Sequence, residues 1–492
     1  MSRLARVGSG LGWGGASTVV VACFQLLFMA VMARLLEPAD FGLVAVANVA
    51  LRFLNYFAQM GVGSALVQKP ELERGDIGAA FSVSIAVSTA CTLIAMLLAG
   101  YAGAFFSMPD LPSVIRWLSF GFVLSGVGTV ANGLLRRRMD FKRLAINDAL
   151  AYVFGYGGVG IAMAISGMGV WALVGASLSQ TLLTACLGYL GARHPLVFVH
   201  GRTQRNHFLA FGGKYSLIGF LEFLGSNLDA MLIGKTLGDS AAGLYNRALL
   251  LANLPVEKPA NVLSRALFPV LSSLGGHQRE KYAIGLQVSM IVTGSYAFAV
   301  AGGVSAAASE LVAVLLGDKW TASAPVLQIL ALAVGPMFVS HVCGVTFDAL
   351  GTLGAKLKIQ SGALVGLVSG LMFAQPYGLK GIAIVIVVTE SLKMLAYLIV
   401  AASLLSISRA VLVRIVATVS IFGGLSWGAV RLASVVAQGF GHSSVQLAVE
   451  VVAGALSLIL AFVVSRYLLA GMQSMQWLTS RMPGLSRVFP SI

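Results

Sequence analysis

The chain has 492 residues, 58% hydrophobic and only 10% charged, with a mean hydropathy of +0.89. Soluble globular domains carry roughly 25% charged residues, so the composition excludes a soluble enzyme or binding module and indicates a polytopic membrane protein. The formal net charge of +15 is dispersed over short loops, with no basic tract interleaved with aromatics, and this argues against nucleic acid as a partner.

The N-terminus, MSRLARVGSG, is short and basic, and an apolar run follows from Leu11 to Ala33. That run exceeds the roughly 7–15 residue core of a cleaved signal, so it reads as a retained first span. Thirteen further stretches have adequate length and apolarity. They lie near 42–66, 78–100, 113–135, 146–166, 170–191, 209–233, 243–268, 282–303, 321–349, 359–375, 381–404, 411–431 and 445–468. The segment GARHPLVFVHGRTQRNH, near 191–207, is the longest inside loop and the natural linker, with His194, His200 and His207 read as solvated loop residues. Ser305 to Trp320 is too short to span and reads as an interfacial or re-entrant helix.

With fourteen spans both termini lie on one side. Most of the 33 Lys and Arg residues then fall on the inside, including the cluster Arg136, Arg137, Arg138, Lys142 and Arg143. Outside loops and their edges carry only Arg34, Arg116, Lys235, Arg247, Lys319, Lys380 and Arg431. The positive-inside rule therefore places both termini in the cytoplasm.

Catalytic and cofactor signatures are missing. Cys23, Cys91, Cys186 and Cys343 sit far apart within apolar runs, with no CxxC. Gly10, Gly12 and Gly15 fit GxGxxG, as do Gly155, Gly157 and Gly160, but neither set follows a strand in a βαβ unit. Close helix packing is the better reading of both, and also of the tandem GxxxG at Gly362, Gly366 and Gly370. No cofactor, no metal and no enzymatic activity is expected.

The informative residues are polar ones inside the spans. In the second span Asn48, Arg52, Asn55 and Gln59 recur at i, i+4, i+7 and i+11, on one helical face. Arg52 lies on the order of 15 Å along its helix at 1.5 Å rise per residue. Facing lipid there would cost at least ~2.5–3.5 kcal/mol, so a protein interior or watery cavity is expected. The stretch also occurs twice: RLLEPADFGLVAVA (Arg34 to Ala47) falls on KTLGDSAAGLYNRA (Lys235 to Ala248), with Gly42 on Gly243. The eighth span, mate of the second, presents Asn246, Asn253 and Glu257 on one face with Lys258 adjacent, and Arg52 aligns with Asn253. Pro255 and Pro259 should bend it. The seventh span carries Glu222, Ser226 and Asp229 at i, i+4 and i+7, and Lys214 near its start; its mate, the first, offers Gln25. Single residues admit a structural alternative, ion pairs Arg52–Asp229 or Lys258–Glu222. Four repeat-related helices with polar sides favour a shared wet cavity between two halves.

Several segments are also familiar. ARLLEPADFGLVAVANV, then GVGSALVQK, resembles the opening of the polysaccharide-transport branch, the Wzx-type flippases, of the MOP exporter superfamily. NLDAMLIGKTLGDSAAGLYNRALLLANLP with SRALFPVLSSL resembles the start of that family's second half, and ELVAVLLGDKWTASAPVLQILALA its region around the tenth span. The resemblance covers roughly residues 1–405; the last two spans agree only in hydropathy and number.

The resemblance implies an all-α membrane fold of about 14 transmembrane helices: two repeat-related six-helix lobes, at 1–200 and 201–405, plus two extra spans and a cytoplasmic tail at 406–492. It implies alternating access and a cargo of oligosaccharide linked to undecaprenyl pyrophosphate, moved across a bacterial inner membrane for exopolysaccharide or lipopolysaccharide biosynthesis. In the central cavity, amides at Gln25, Asn48, Asn55, Gln59 and Asn253 suit sugar hydroxyls, Arg52, Lys214 and Lys258 suit the pyrophosphate, and Glu257 shares their polar face. Glu222 and Asp229 are the candidates for ion coupling. Expected partners are lipid-linked oligosaccharide and membrane lipids, with glycan polymerase and export machinery as further candidates. The alternative on the same fold is a MATE-like cation-coupled multidrug antiporter, whose cavity would be more acidic and aromatic. A membrane glycan polymerase or ligase should show a large periplasmic loop, and none is present.

Overall fold

The structure is a computed structural model that describes residues 24–59, 62, 66, 72–195, 227–272, 279–350, 352–438 and 443–470. No strand occurs among the described residues, and nine helical stretches among them are long and apolar enough to cross a membrane. One of the nine, Gly354–Leu404, contains two successive long helices. Most of the expected first and seventh spans lies outside the described residues. The chain divides into two compact units, Met1–Asn246 and Arg247–Ile492.

In the first unit the helices are α1 (Phe24–Leu35), α2 (Pro38–Gln59), α3 (Arg74–Phe106), α4 (Leu111–Arg137), α5 (Lys142–Ile165), α6 (Val170–Ala192), α7 (227–236) and the opening turns of α8 (Gly238–Ser272). Local chemistry sets their ends. Glu73 and Asp76 form a reciprocal capping box at the start of α3, with the Glu73 N–H donating to Asp76 Oδ2 at 3.0 Å, which satisfies donors that a helix start leaves open. The basic cluster has structural work beyond topology. Arg138 Nη2 donates to the Ala192 carbonyl and Arg143 Nη1 to that of Gly191, each at 3.3 Å, so two cations meet the negative end of α6. Arg137 Nη1 donates to the Leu66 carbonyl at 2.8 Å.

The glycines of the second GxGxxG are packing residues, as expected. They lie in a π-helical stretch of α5, Val153–Gly160. A Cβ on Gly155 would stand 2.7 Å from the backbone nitrogen of Gln180 on α6, and one on Gly157 would stand 2.5 Å from the ring of Phe28 on α1. The first set, Gly10, Gly12 and Gly15, lies outside the described residues. A closer approach joins the repeated segments. A Cβ on Gly42 would lie 1.8 Å from the carbonyl oxygen of Asp239, and one on Gly243 would lie 1.9 Å from that of Pro38. Pro38 and Asp239 occupy matching places in the repeat, so the contact is reciprocal, as between two copies related by a two-fold axis.

His194 departs from the expectation of a solvated loop. Arg193 adopts the left-handed conformation at φ 41°, which folds the chain back and buries His194 at 4% exposure. Its ring lies 5.8 Å from that of Phe81 and 5.4 Å from that of Tyr189. Burial holds this imidazole below its ordinary pKa, opposed by the Pro195 carbonyl. A histidine buried neutral contributes stability above its unfolded pKa and loses it as pH falls through the lower folded value. The unfolding temperature of the purified protein should therefore fall on acidification from neutral pH, and His194→Phe should reduce that fall while retaining the ring packing. An unchanged acid response in the variant would assign it elsewhere.

In the second unit the remainder of α8 is followed by α9 (Arg279–Ala306), the short α10 (Ala308–Leu315), α11 (Ala324–Ala349), α12 (Leu353–Ala374), α13 (Gly378–Leu404), α14 (Arg409–Ala437) and α15 (Ser443–Ala470). The short outside segment folds as α10 and a 3-10 turn, Asp318–Ser323, pinned by the fully buried Trp320. Helix α9 packs against α11, α14 and α15. Small residues permit this: a Cβ on Gly302 would lie 2.1 Å from the Gly423 carbonyl oxygen. Serine pairs then bridge the helices, Ser465 to Ser295 at 2.9 Å and Ser457 to Ser426 at 2.8 Å. The GxxxG reading of α12 is corrected. Gly362 and Gly366 have no atom within 4 Å of a built Cβ, and only Gly370 meets a neighbour, Val385 at 2.6 Å.

Candidate functional site

Helix α2 has two unlike sides. Val46, Ala47, Val49, Leu51 and Leu54 are buried, and the helix packs on α3 and α4. Asn48 and Arg52 are exposed and Asn55 is half-buried, so the stripe read from the sequence forms one face turned away from the packed core. Gln59 closes the helix, its side chain outside the described residues. Among the described residues Arg52 makes no hydrogen bond or ion pair. The structural alternative, Arg52 paired with Asp229, is absent there. A groove of about 300 Å³ lies beside the buried side of α2, lined by Ala50, Leu51, Leu54, Tyr101, Phe105 and other apolar residues. The polar stripe contributes nothing to it.

Gln25 is half-buried on α1. Asp229 is half-buried on α7; its Oδ1 accepts the Ala230 N–H at 2.8 Å, and its Oδ2 accepts the hydroxyl proton of Tyr245. Tyr245, 1% exposed, was missed by sequence reading: it belongs to α8, across a helix junction, and no periodicity links it to Asp229. At the start of the repeated segment, Lys235 Nζ donates to the Phe105 carbonyl and lies 4.9 Å from that ring's centroid. Lys214 and Glu222 lie outside the described residues.

In the second unit Asn253 is half-buried on α8, and Glu257 and Lys258 continue that helix with side chains outside the described set. Helix α8 runs through both prolines unbroken. Pro259 has no N–H to give to the carbonyl four residues earlier, and that carbonyl, Pro255's, accepts the Tyr296 hydroxyl at 2.6 Å instead. A second polar group lies in the span near 381–404, where Lys393 pairs with Glu390 of the same helix at 2.6 Å. The i, i+3 spacing of an acid and a base within an apolar run is the signal that would have found it. Lys356 similarly holds both oxygens of Asp348 at 2.8 Å.

Comparison with known proteins gives this arrangement a context. A family model described as polysaccharide biosynthesis protein matches residues 31–325. The lipopolysaccharide biosynthesis protein WzxC of Escherichia coli (strain K12) is 24% identical over 335 residues, 68% of each chain. The succinoglycan biosynthesis transport protein ExoT of Rhizobium meliloti (strain 1021) is 27% identical over 342 residues, also 68% of each. Among solved structures, the lipid II flippase MurJ in an inward closed conformation superposes with a TM-score of 0.71 at 9% identity, covering 91% of this chain and 97% of that one. At that identity the likeness concerns the fold.

Proposed function

This chain belongs to the polysaccharide biosynthesis protein family, in the Wzx-type branch of the MOP exporter superfamily, and from that premise we propose that it is a flippase, not an enzyme, for lipid-linked oligosaccharide. The cargo is a glycan on undecaprenyl pyrophosphate, carried from the inner to the outer leaflet of a bacterial cytoplasmic membrane by alternating access. The observation that carries this reading is the polar face of α2: an exposed guanidinium, Arg52, without a described partner, flanked by Asn48 and Asn55 on a helix otherwise apolar. A cation at that depth is too costly to leave against lipid. A pyrophosphate would neutralise it, with oxygens spaced for paired N–H donors, and the flanking amides offer donors and acceptors to sugar hydroxyls. Asp229, held by Tyr245, and Glu222 are the carboxylates proposed for ion coupling.

The test is direct. The protein, reconstituted into vesicles with lipid-linked oligosaccharide in one leaflet, should raise the fraction of glycan reached by a membrane-impermeant oxidant on the other side. No increase over empty vesicles, or transport of organic cations alone, would reject the reading.

Orientation is part of the proposal. Both termini and the loops around Arg137, Arg202, His277 and Lys356 should be cytoplasmic, with Pro109, Asp318 and Gly439 outside. An impermeant thiol reagent applied to intact cells should label a cysteine at position 318 and spare one at 137. The opposite pattern would invert the topology.

A further inference from the structure

Three helices of the second unit bring two carboxyl groups onto one amide. Gln446 and Glu450 occupy i and i+4 of α15 and therefore one face. Gln446 Nε2 stands 2.9 Å from Glu310 Oε1 of α10, 2.9 Å from Ser434 Oγ of α14 and 3.2 Å from Glu450 Oε1. An amide nitrogen has two protons to donate, so it cannot serve three acceptors, and the Ser434 hydroxyl supplies a further hydrogen bond to Glu450. The other oxygens fare worse: Glu310 Oε2 and Glu450 Oε2 are both shielded from solvent and lack any hydrogen-bond partner among the described residues. Glu450 and Ser434 are each 1% exposed. The surroundings are apolar, with Ala306, Ala307 and Val430 packed together and Leu311 and Ala453 against them.

Two anions cannot stand side by side in such a place without compensation, because each loses its hydration and repels the other. Arg431, one turn before Ser434, acts on Glu450 through space but is exposed and forms no ion pair among the described residues. The end of α9 beside them, Gly302 to Ala306, brings no charge. No group of three or more His, Cys, Asp or Glu side chains that could hold a metal occurs among the described residues. We propose that the free oxygens of Glu310 and Glu450, with the Ser434 hydroxyl, bind one monovalent cation, a proton or Na+, on the side that the basic residues assign to the exterior. Its binding ties α10 to the last two helices, and its release leaves two buried carboxylates that favour their separation. The inference concerns binding alone and stands apart from the identity of the cargo.

The purified full-length protein supplies the test. Its unfolding temperature is measured in NaCl against choline chloride at constant ionic strength and pH, and in choline chloride across a pH series. A sodium site predicts stabilisation by NaCl over choline. A proton site predicts no preference between the salts and a fall in unfolding temperature as pH rises above neutral. Glu310→Gln and Glu450→Gln, each neutral and of nearly the same shape, should abolish whichever dependence the parent shows. Should Glu450→Gln fail to fold, Glu310→Gln, at a half-exposed position, carries the comparison. A parent protein indifferent to both sodium and pH overturns the proposal, as does a dependence retained in full by Glu310→Gln.

Discussion

Replacing Arg52 with alanine should nearly abolish glycan export while the protein remains in the membrane at its normal level. Arg52 lies on the exposed face of α2, and no described residue pairs with it, so its removal breaks no hydrogen bond or ion pair among the described residues. What is lost is the charge available to an anionic cargo. Hydrogen bonds to a charged partner contribute roughly 1.5–3 kcal/mol each, which predicts at least a ten- to hundred-fold fall in transport. Arg52→Lys should retain part of the activity, because an ammonium supplies charge without the planar pair of donors. A structural arginine paired to Asp229 would behave otherwise: Arg52→Ala would lower abundance, and adding Asp229→Ala would restore it. The absence of that pair argues for the first pattern. Quantifying membrane level and exported glycan for the four proteins separates them, and full export by a well-expressed Arg52→Ala protein would end the pyrophosphate assignment.

The second large effect concerns folding. Gly42→Val and Gly243→Val should each strip the membrane of folded protein, with Gly42→Ala intermediate. The atoms that an added Cβ would meet are backbone carbonyl oxygens at 1.8 and 1.9 Å, and backbone cannot rotate aside as a side chain can. Overpacking of this kind costs typically about 1–3 kcal/mol or more, and here it would drive apart the start of α2 and the start of α8. Gly362→Ala and Gly366→Ala are the matched controls. Both positions are helical with open space around them, and alanine there should be neutral or stabilising by up to about 1 kcal/mol through its better helix propensity. Size-exclusion profiles of the fluorescently tagged proteins would report the difference. Equal loss at positions 42 and 362 would mean that the close approach is not what constrains Gly42.

Some of this was present in the order of the residues. A stretch of apolar chain long enough to cross a bilayer is a local property, and so is the face shared by Asn48, Arg52 and Asn55, because both depend on rise and turn per residue alone. The all-helical class, the polar side of α2 and the repeat that matches Gly42 to Gly243 could therefore be read without coordinates. Spacing could not say which small residues touch. Gly362 and Gly366 have the pattern of a helix contact and face open space, whereas Gly42 and Gly243 have no such pattern and make the closest approach. His194 looked like one more loop histidine until the left-handed turn at Arg193 folded it onto Phe81 and Tyr189. Tyr245 reaches Asp229 from beyond a helix junction, and Glu310 and Ser434 reach Gln446 from two other helices. Such meetings depend on where separate helices cross. That is decided by the packing of side chains distant in the chain, and no local period encodes it.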